Sequence, residues 1–97
     1  MSNEEKPAGR KLKDLKARAQ LLKACVSVGK AGLTDAVITA LNQSLGANEL
    51  VKLKFDEFKD QKKILAPEIA ERTGSQLIQR VGNTAVYFRA KPRPIAD

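Results

Sequence analysis

The spacing of apolar side chains changes period several times along the chain, and each change marks an element. Leu12, Leu15, Ala19 and Leu22 recur at three- and four-residue steps while Lys11, Lys13, Lys16 and Arg18 fall elsewhere. That pattern predicts an amphipathic helix of roughly three turns beginning at Arg10. Residues 24–28 are short, β-rich at Val26 and Val28, and stopped by Gly29, which predicts a strand. Thr34 suits an N-cap, and Leu33, Val37, Ile38, Leu41 and Leu45 draw one stripe down a helix closed by Gly46. Residues 50–55 alternate, with Val51, Leu53 and Phe55 on one face and Lys52 and Lys54 on the other, as in a half-buried strand.

A third helix over residues 61–72 is expected to carry Ile64, Leu65 and Ile69 inward and to end at Gly74. Pro67 lies within it, so either the helix kinks or its regular part begins near the proline. Residues 76–81 and 85–89 alternate as two strands joined through Gly82 and Asn83, which suit a tight hairpin. The order αβαβαββ, with two strand–helix–strand crossovers and a final hairpin, predicts a single α/β domain built on a four-stranded mixed sheet with helices packed on it. Its core is expected to include Leu12, Leu15, Val26, Val37, Leu41, Leu45, Leu53, Phe55, Leu65, Ile69 and Phe88. Residues 1–9 read as a flexible tail, residues 10–90 as the domain, and residues 91–97, with Pro92 and Pro94, as a second tail.

Charge sharpens this picture. The chain of 97 residues has a net charge of +7, of which residues 1–24 contribute +4, residues 25–75 nothing and residues 76–97 +3. If the fold brought both ends beside residues 29–32, one positive patch would result and would attract a polyanion. Residues 29–32 are Gly-Lys-Ala-Gly, between an apolar run and a helix start. Two glycines around a lysine let backbone N–H groups approach a phosphate closely, so Gly29, Lys30, Ala31 and Gly32 are the first candidates for contact with nucleic acid.

Other chemistries are poorly supplied. Histidine is absent, Cys25 reads as part of an apolar strand, and Asp56, Glu57 and Asp60 read as a solvated loop, so neither catalysis, a metal site, a cofactor nor a small-molecule substrate is expected. The polar, acidic start and the lack of an apolar stretch near the ~20 residues of a membrane span point to a cytoplasmic protein with no membrane partner. Four aromatic residues do not make a stacking platform, and Tyr87 is expected on the exposed side of the sheet.

Four blocks in order extend the reading: Leu22 and Lys23; Val-Ser-Val-Gly-Lys-Ala-Gly-Leu-Thr at residues 26–34; Glu-Leu-Val-Lys-Leu-Lys at 49–54; and Val-Gly-Asn-Thr-Ala-Val-Tyr-Phe-Arg at 81–89. Together they resemble the CRM domain family, typified by the bacterial protein YhbY. The resemblance implies an RNA-binding domain with a fold like the C-terminal domain of translation initiation factor 3 and a glycine loop related to that of KH domains. For a single-domain bacterial member it implies association with ribosomal RNA in precursors of the large ribosomal subunit. Plant members of the family serve intron splicing within larger proteins. Ala24 departs from the usual proline of the family, and Pro67 from the usual helix former. Lys23 and Arg89 lie in matched blocks and join the candidate RNA contacts, and Arg10, Lys11, Lys13 and Lys16 would extend them along the first helix. A protein-docking module for an acidic partner is the competing class.

Overall fold

The structure, a computed structural model, describes residues 9–90, with side chains from Leu12 onward. The tails assigned to residues 1–9 and 91–97 therefore lie outside the described residues, save Gly9, which opens the first helix. The elements are α1 (Gly9–Ala19), β1 (Val26–Val28), α2 (Asp35–Ala47), β2 (Leu50–Phe55), a 3₁₀ turn (Lys59–Gln61), α3 (Lys62–Thr73), β3 (Gln76–Val81) and β4 (Thr84–Phe88). This is the expected order.

The four strands form one mixed sheet in the order β1-β2-β4-β3. β1 runs parallel to β2, with Val26 beside Leu53 and Val28 beside Phe55. β4 is antiparallel to both β2 and β3, so the crossover through α3 leaves a gap that the last strand fills. Val81 and Thr84 flank a two-residue turn in which Gly82 alone has a positive φ, +57°, the arrangement that glycine permits at the first position of a type II′ hairpin.

Strand periodicity divides the core in two. Val26, Val28, Val51, Leu53, Phe55, Ala85 and Tyr87 face α2 and α3, where they meet Leu41, Leu45, Ala66, Ile69 and Ala70. Leu50, Ile78, Val86 and Phe88 face the other way and are covered by Leu15 and Ala19 of α1. Leu12, Val37 and Leu65 close the edges, half-buried.

Several sequence expectations are corrected here. Tyr87 is not on an open face: α3 covers it completely, and its hydroxyl donates to Ala66 O at 2.9 Å. Ile64 is 70% exposed; a helical turn that points Leu65, Ile69 and Thr73 inward directs Ile64, Pro67 and Glu71 outward. α3 continues through Pro67 from Lys62, so its regular part does not begin there. Pro67 lacks the N–H that would bond the carbonyl of exposed Lys63, which water can serve instead. Gly46 does not close α2; the helix passes through it to a cap at Asn48, whose N–H donates to Ser44 O at 2.8 Å. Gly74 does end α3, with φ +64° and Ser75 N–H reaching back to Ala70 O at 2.9 Å, a Schellman-type close. Cys25 is exposed and precedes the strand; its thiol donates to Ser44 Oγ at 3.7 Å.

Candidate nucleic-acid interface

Residues 29–32 form a β-turn closed by Gly32 N–H on Gly29 O at 2.9 Å, with Lys30 and Ala31 exposed at its tip. The two glycines differ in what the fold asks of them. Gly32 has φ +78°, a region that side chains disfavour, and a Cβ there would stand 3.4 Å from the Phe58 ring. Gly29 has no such φ, and a Cβ built on it meets nothing within 4 Å.

The footing of the turn comes from two sides. Thr34 caps α2, its Oγ1 accepting from Val37 N–H at 3.3 Å, and its own N–H donates to Gly32 O at 3.0 Å. Asp56 and Glu57 both donate backbone N–H groups to Val28 O, at 3.0 and 3.1 Å, which docks the segment after β2 against the end of β1. Phe58, in the left-handed region at φ +58°, places its ring beneath Gly32. The same segment gives Lys30 acidic neighbours, since Lys30, Asp56, Glu57 and Asp60 line one open groove of about 600 Å³. Asp56 is 3.6 Å from Lys54, and Asp35 in the first turn of α2 is 3.7 Å from Arg72.

The expected convergence of Lys23, Lys30 and Arg89 does not occur. Lys23 leads into β1 and Lys30 follows it, so the strand separates them. β2 is parallel to β1 and begins at Leu50, beside Phe88, while Arg89 N–H donates to Glu49 O at 2.9 Å. Lys23 and Arg89 thus sit at the end of the sheet where β2 begins and Lys30 at the end where it finishes, a separation of roughly 20 Å for six residues at ~3.3 Å each.

Arg89 is also turned into the fold. Its Nη1 donates to Asn42 Oδ1 at 2.8 Å and Thr73 O at 2.7 Å, and its Nη2 donates to Asn42 O at 3.1 Å. It ties the end of β4 to α2 and α3, satisfying a carbonyl in the last turn of α3. A free cation for phosphate is not what the structure offers at this position.

Along α1, Lys13 is exposed and Lys16 half-buried; the side chains of Arg10 and Lys11 lie outside the described residues. Lys16 and Arg18 occupy the last turn, where cations also favour the helix dipole. Lys23 and Arg18 share an open groove of about 630 Å³ with Cys25, Glu49 and Lys52. Lys52 and Lys54 are further cations, outside both the glycine motif and the charged termini. Their signal was the strict alternation of residues 50–55, which sets both on the face opposite Val51 and Leu53.

Residues 8–89 match the CRS1 / YhbY (CRM) domain. The chain is 31% identical over 83 residues to a Pseudomonas aeruginosa protein named as a probable RNA-binding protein, covering 84% of this chain and 80% of that one. It is 30% identical over 82 residues to Bacillus subtilis YqeI, also named as a probable RNA-binding protein, covering 84% of this chain and 85% of the relative. The solution structure of a Staphylococcus aureus protein described as a candidate RNA-binding protein superimposes with a TM-score of 0.75 at 28% identity, covering 89% of this chain and 91% of that one. Sequence blocks, sheet order and these likenesses agree: the chain belongs to the CRS1 / YhbY (CRM) domain family.

Proposed function

We propose that this protein binds RNA through the turn at residues 29–32, with residues 10–90 as the binding unit, and serves in the cytoplasm as an assembly factor on ribosomal RNA of precursor large ribosomal subunits. The observation that carries the proposal is Gly29. The fold needs a glycine at 32, whereas a Cβ at 29 would meet nothing within 4 Å, so the main chain beside Lys30 is open to a ligand. A sugar–phosphate backbone fits: it can approach the main chain closely while the exposed Lys30 supplies a point charge. Relatives named as probable RNA-binding proteins support the same class of partner.

The contact is with phosphate, not base stacks. Of the four aromatic residues, Phe55, Tyr87 and Phe88 are buried, which leaves Phe58, 40% exposed beside Gly32, as a single ring and no stacking platform. Binding is therefore driven by charge, with little sequence selectivity, on structured RNA. With about five phosphates neutralised, log affinity falls against log salt with a slope between roughly −3.5 and −4.5. Lys30→Glu is expected to weaken filter-bound RNA retention about tenfold or more, ~1.4 kcal/mol, with the melting temperature unchanged. Retention equal to the parent protein would remove the turn from the interface. A protein-docking role predicts a different result: association with ribosomal particles that survives nuclease digestion.

A further inference from the structure

We infer that the RNA path does not stop at the turn but continues along the uncovered strip of the sheet on the α1 side, over Lys54 and Lys52 toward Lys23 and Arg18. This rests on the reading that the chain binds RNA at residues 29–32 and specifies how one molecule of it engages both ends of the sheet.

The strip is defined by where α1 ends its cover. On this face α1 shelters Leu50, Ile78, Val86 and Phe88. Beyond them the registered positions are Ser27 beside Lys54, Lys54 beside Thr84, and Val81 beside Thr84. Ser27 and Lys54 are exposed, and Val81 is 59% exposed. None of the sheet positions on this face is acidic; Asp56, just past the strand, is matched by Lys54. That ion pair joins groups 56% and 49% exposed, so it is weak and a phosphate can displace the carboxylate at little cost.

The opposite side of the sheet has a different character. α2 and α3 seal it, and their outer surfaces carry Asp35, Glu68 and Glu71 among the cations. Those carboxylates are balanced by Lys62, Lys63 and Arg72, so that side is neutral in sum, and a polyanion leaving Lys30 finds its net attraction at Lys54 and Lys52, away from Glu57 and Asp60. Lys52 then opens into the groove that holds Lys23 and Arg18 together with one carboxylate, Glu49. Four cations in succession bridge the roughly 20 Å that separates the ends of β2. Taking the ~3.4 Å axial rise per nucleotide of one strand of a DNA duplex as the measure, the path accommodates about six nucleotides, held by the backbone because no aromatic ring lines it.

The test is RNA binding by the full chain, measured against salt for the parent, Lys30→Ala, Lys52→Ala/Lys54→Ala, and Lys63→Ala/Arg80→Ala, which removes two exposed charges elsewhere. Circular dichroism and melting verify that each variant folds. The strip predicts that Lys52→Ala/Lys54→Ala reduces the salt slope by about 1.4 to 1.8, and that Lys63→Ala/Arg80→Ala leaves it near the parent value. It also predicts that RNA oligonucleotides shorter than about six residues bind the parent and Lys52→Ala/Lys54→Ala nearly equally, while longer ones discriminate. If Lys30→Ala weakens binding and Lys52→Ala/Lys54→Ala does not, the strip is wrong and the turn stands. If both double variants lose affinity alike, bulk charge is the cause and the strip is overturned. A loss at Lys52 and Lys54 with none at Lys30 removes the turn and overturns a path that starts from it.

Discussion

At the scale of the residue, the two glycines of the Gly-Lys-Ala-Gly turn look equivalent in sequence and are not equivalent in structure. Gly32→Ala forces a side chain into φ +78° against the Phe58 ring; the expected cost is about 1 kcal/mol, read as a lower urea midpoint. Gly29→Ala should leave that midpoint in place, since its Cβ enters open space, yet weaken RNA retention by holding the phosphate off the main chain. Equal destabilisation by both would mean that the turn is only a connection. The difference was illegible beforehand because it depends on Phe58, a residue from another segment that the fold carries beneath the turn. Asp56, Glu57 and Asp60 were visible as charges, but their place beside Lys30 comes from backbone bonds to Val28 O that no local pattern encodes.

Elements were legible where one face is buried and the other wet. The stripe of Leu41 and Leu45, the alternation of Val51, Leu53 and Phe55, and the Thr34 cap all appear as the sequence implies. The reading failed where both faces are covered: β4 lies between β2 and β3 with α1 on one side and α3 on the other, so Ala85, Val86, Tyr87 and Phe88 are all buried and alternation carries no information about exposure. Ile64 misled because it adjoins Leu65 in the first turn of α3, and only packing decides which of two neighbours faces in. Arg89 belongs to this scale too, since it joins three elements. Arg89→Ala leaves Asn42 Oδ1 and Thr73 O without their donor, and we expect about 2 kcal/mol lost in urea unfolding with the salt slope of RNA binding unchanged in the folded variant. A shallower slope would return Arg89 to the interface.

For the whole molecule, the sheet is a partition with a core on each side, and Tyr87 reports on its integrity. Burial beneath α3 pushes its phenol well above the ordinary value of 10.0. A raised folded-state value means the contribution is complete below pH ~10 and is lost as pH climbs toward the folded value, because only the unfolded chain then ionises freely. The melting temperature should therefore fall above pH 10, with phenolate absorbance rising in step with unfolding; the chain has one tyrosine and no tryptophan, so the signal is unambiguous. Tyr87→Phe, which keeps the same lysines, should start about 1 kcal/mol less stable at neutral pH for the lost bond to Ala66 O and lose less on the way up. Phenolate forming while the protein stays folded would contradict this burial. The global placement of charge was likewise beyond reach of the sequence, because parallel pairing of β1 with β2 sends Lys23 and Lys30 to opposite rims. Phe55 N–H bonds Asn83 O, Lys62 Nζ holds Gly82 O at 2.6 Å and Asn83 Oδ1 at 3.2 Å, and Gln61 N–H returns to Phe58 O, so the hairpin, the start of α3 and the residue under Gly32 are knotted together. On the proposed function, an arriving strand would meet a receptor already set in shape, with little freedom left to surrender on capture, so that its residence time would be governed by the strength of the grip and not by the ordering of a loose segment.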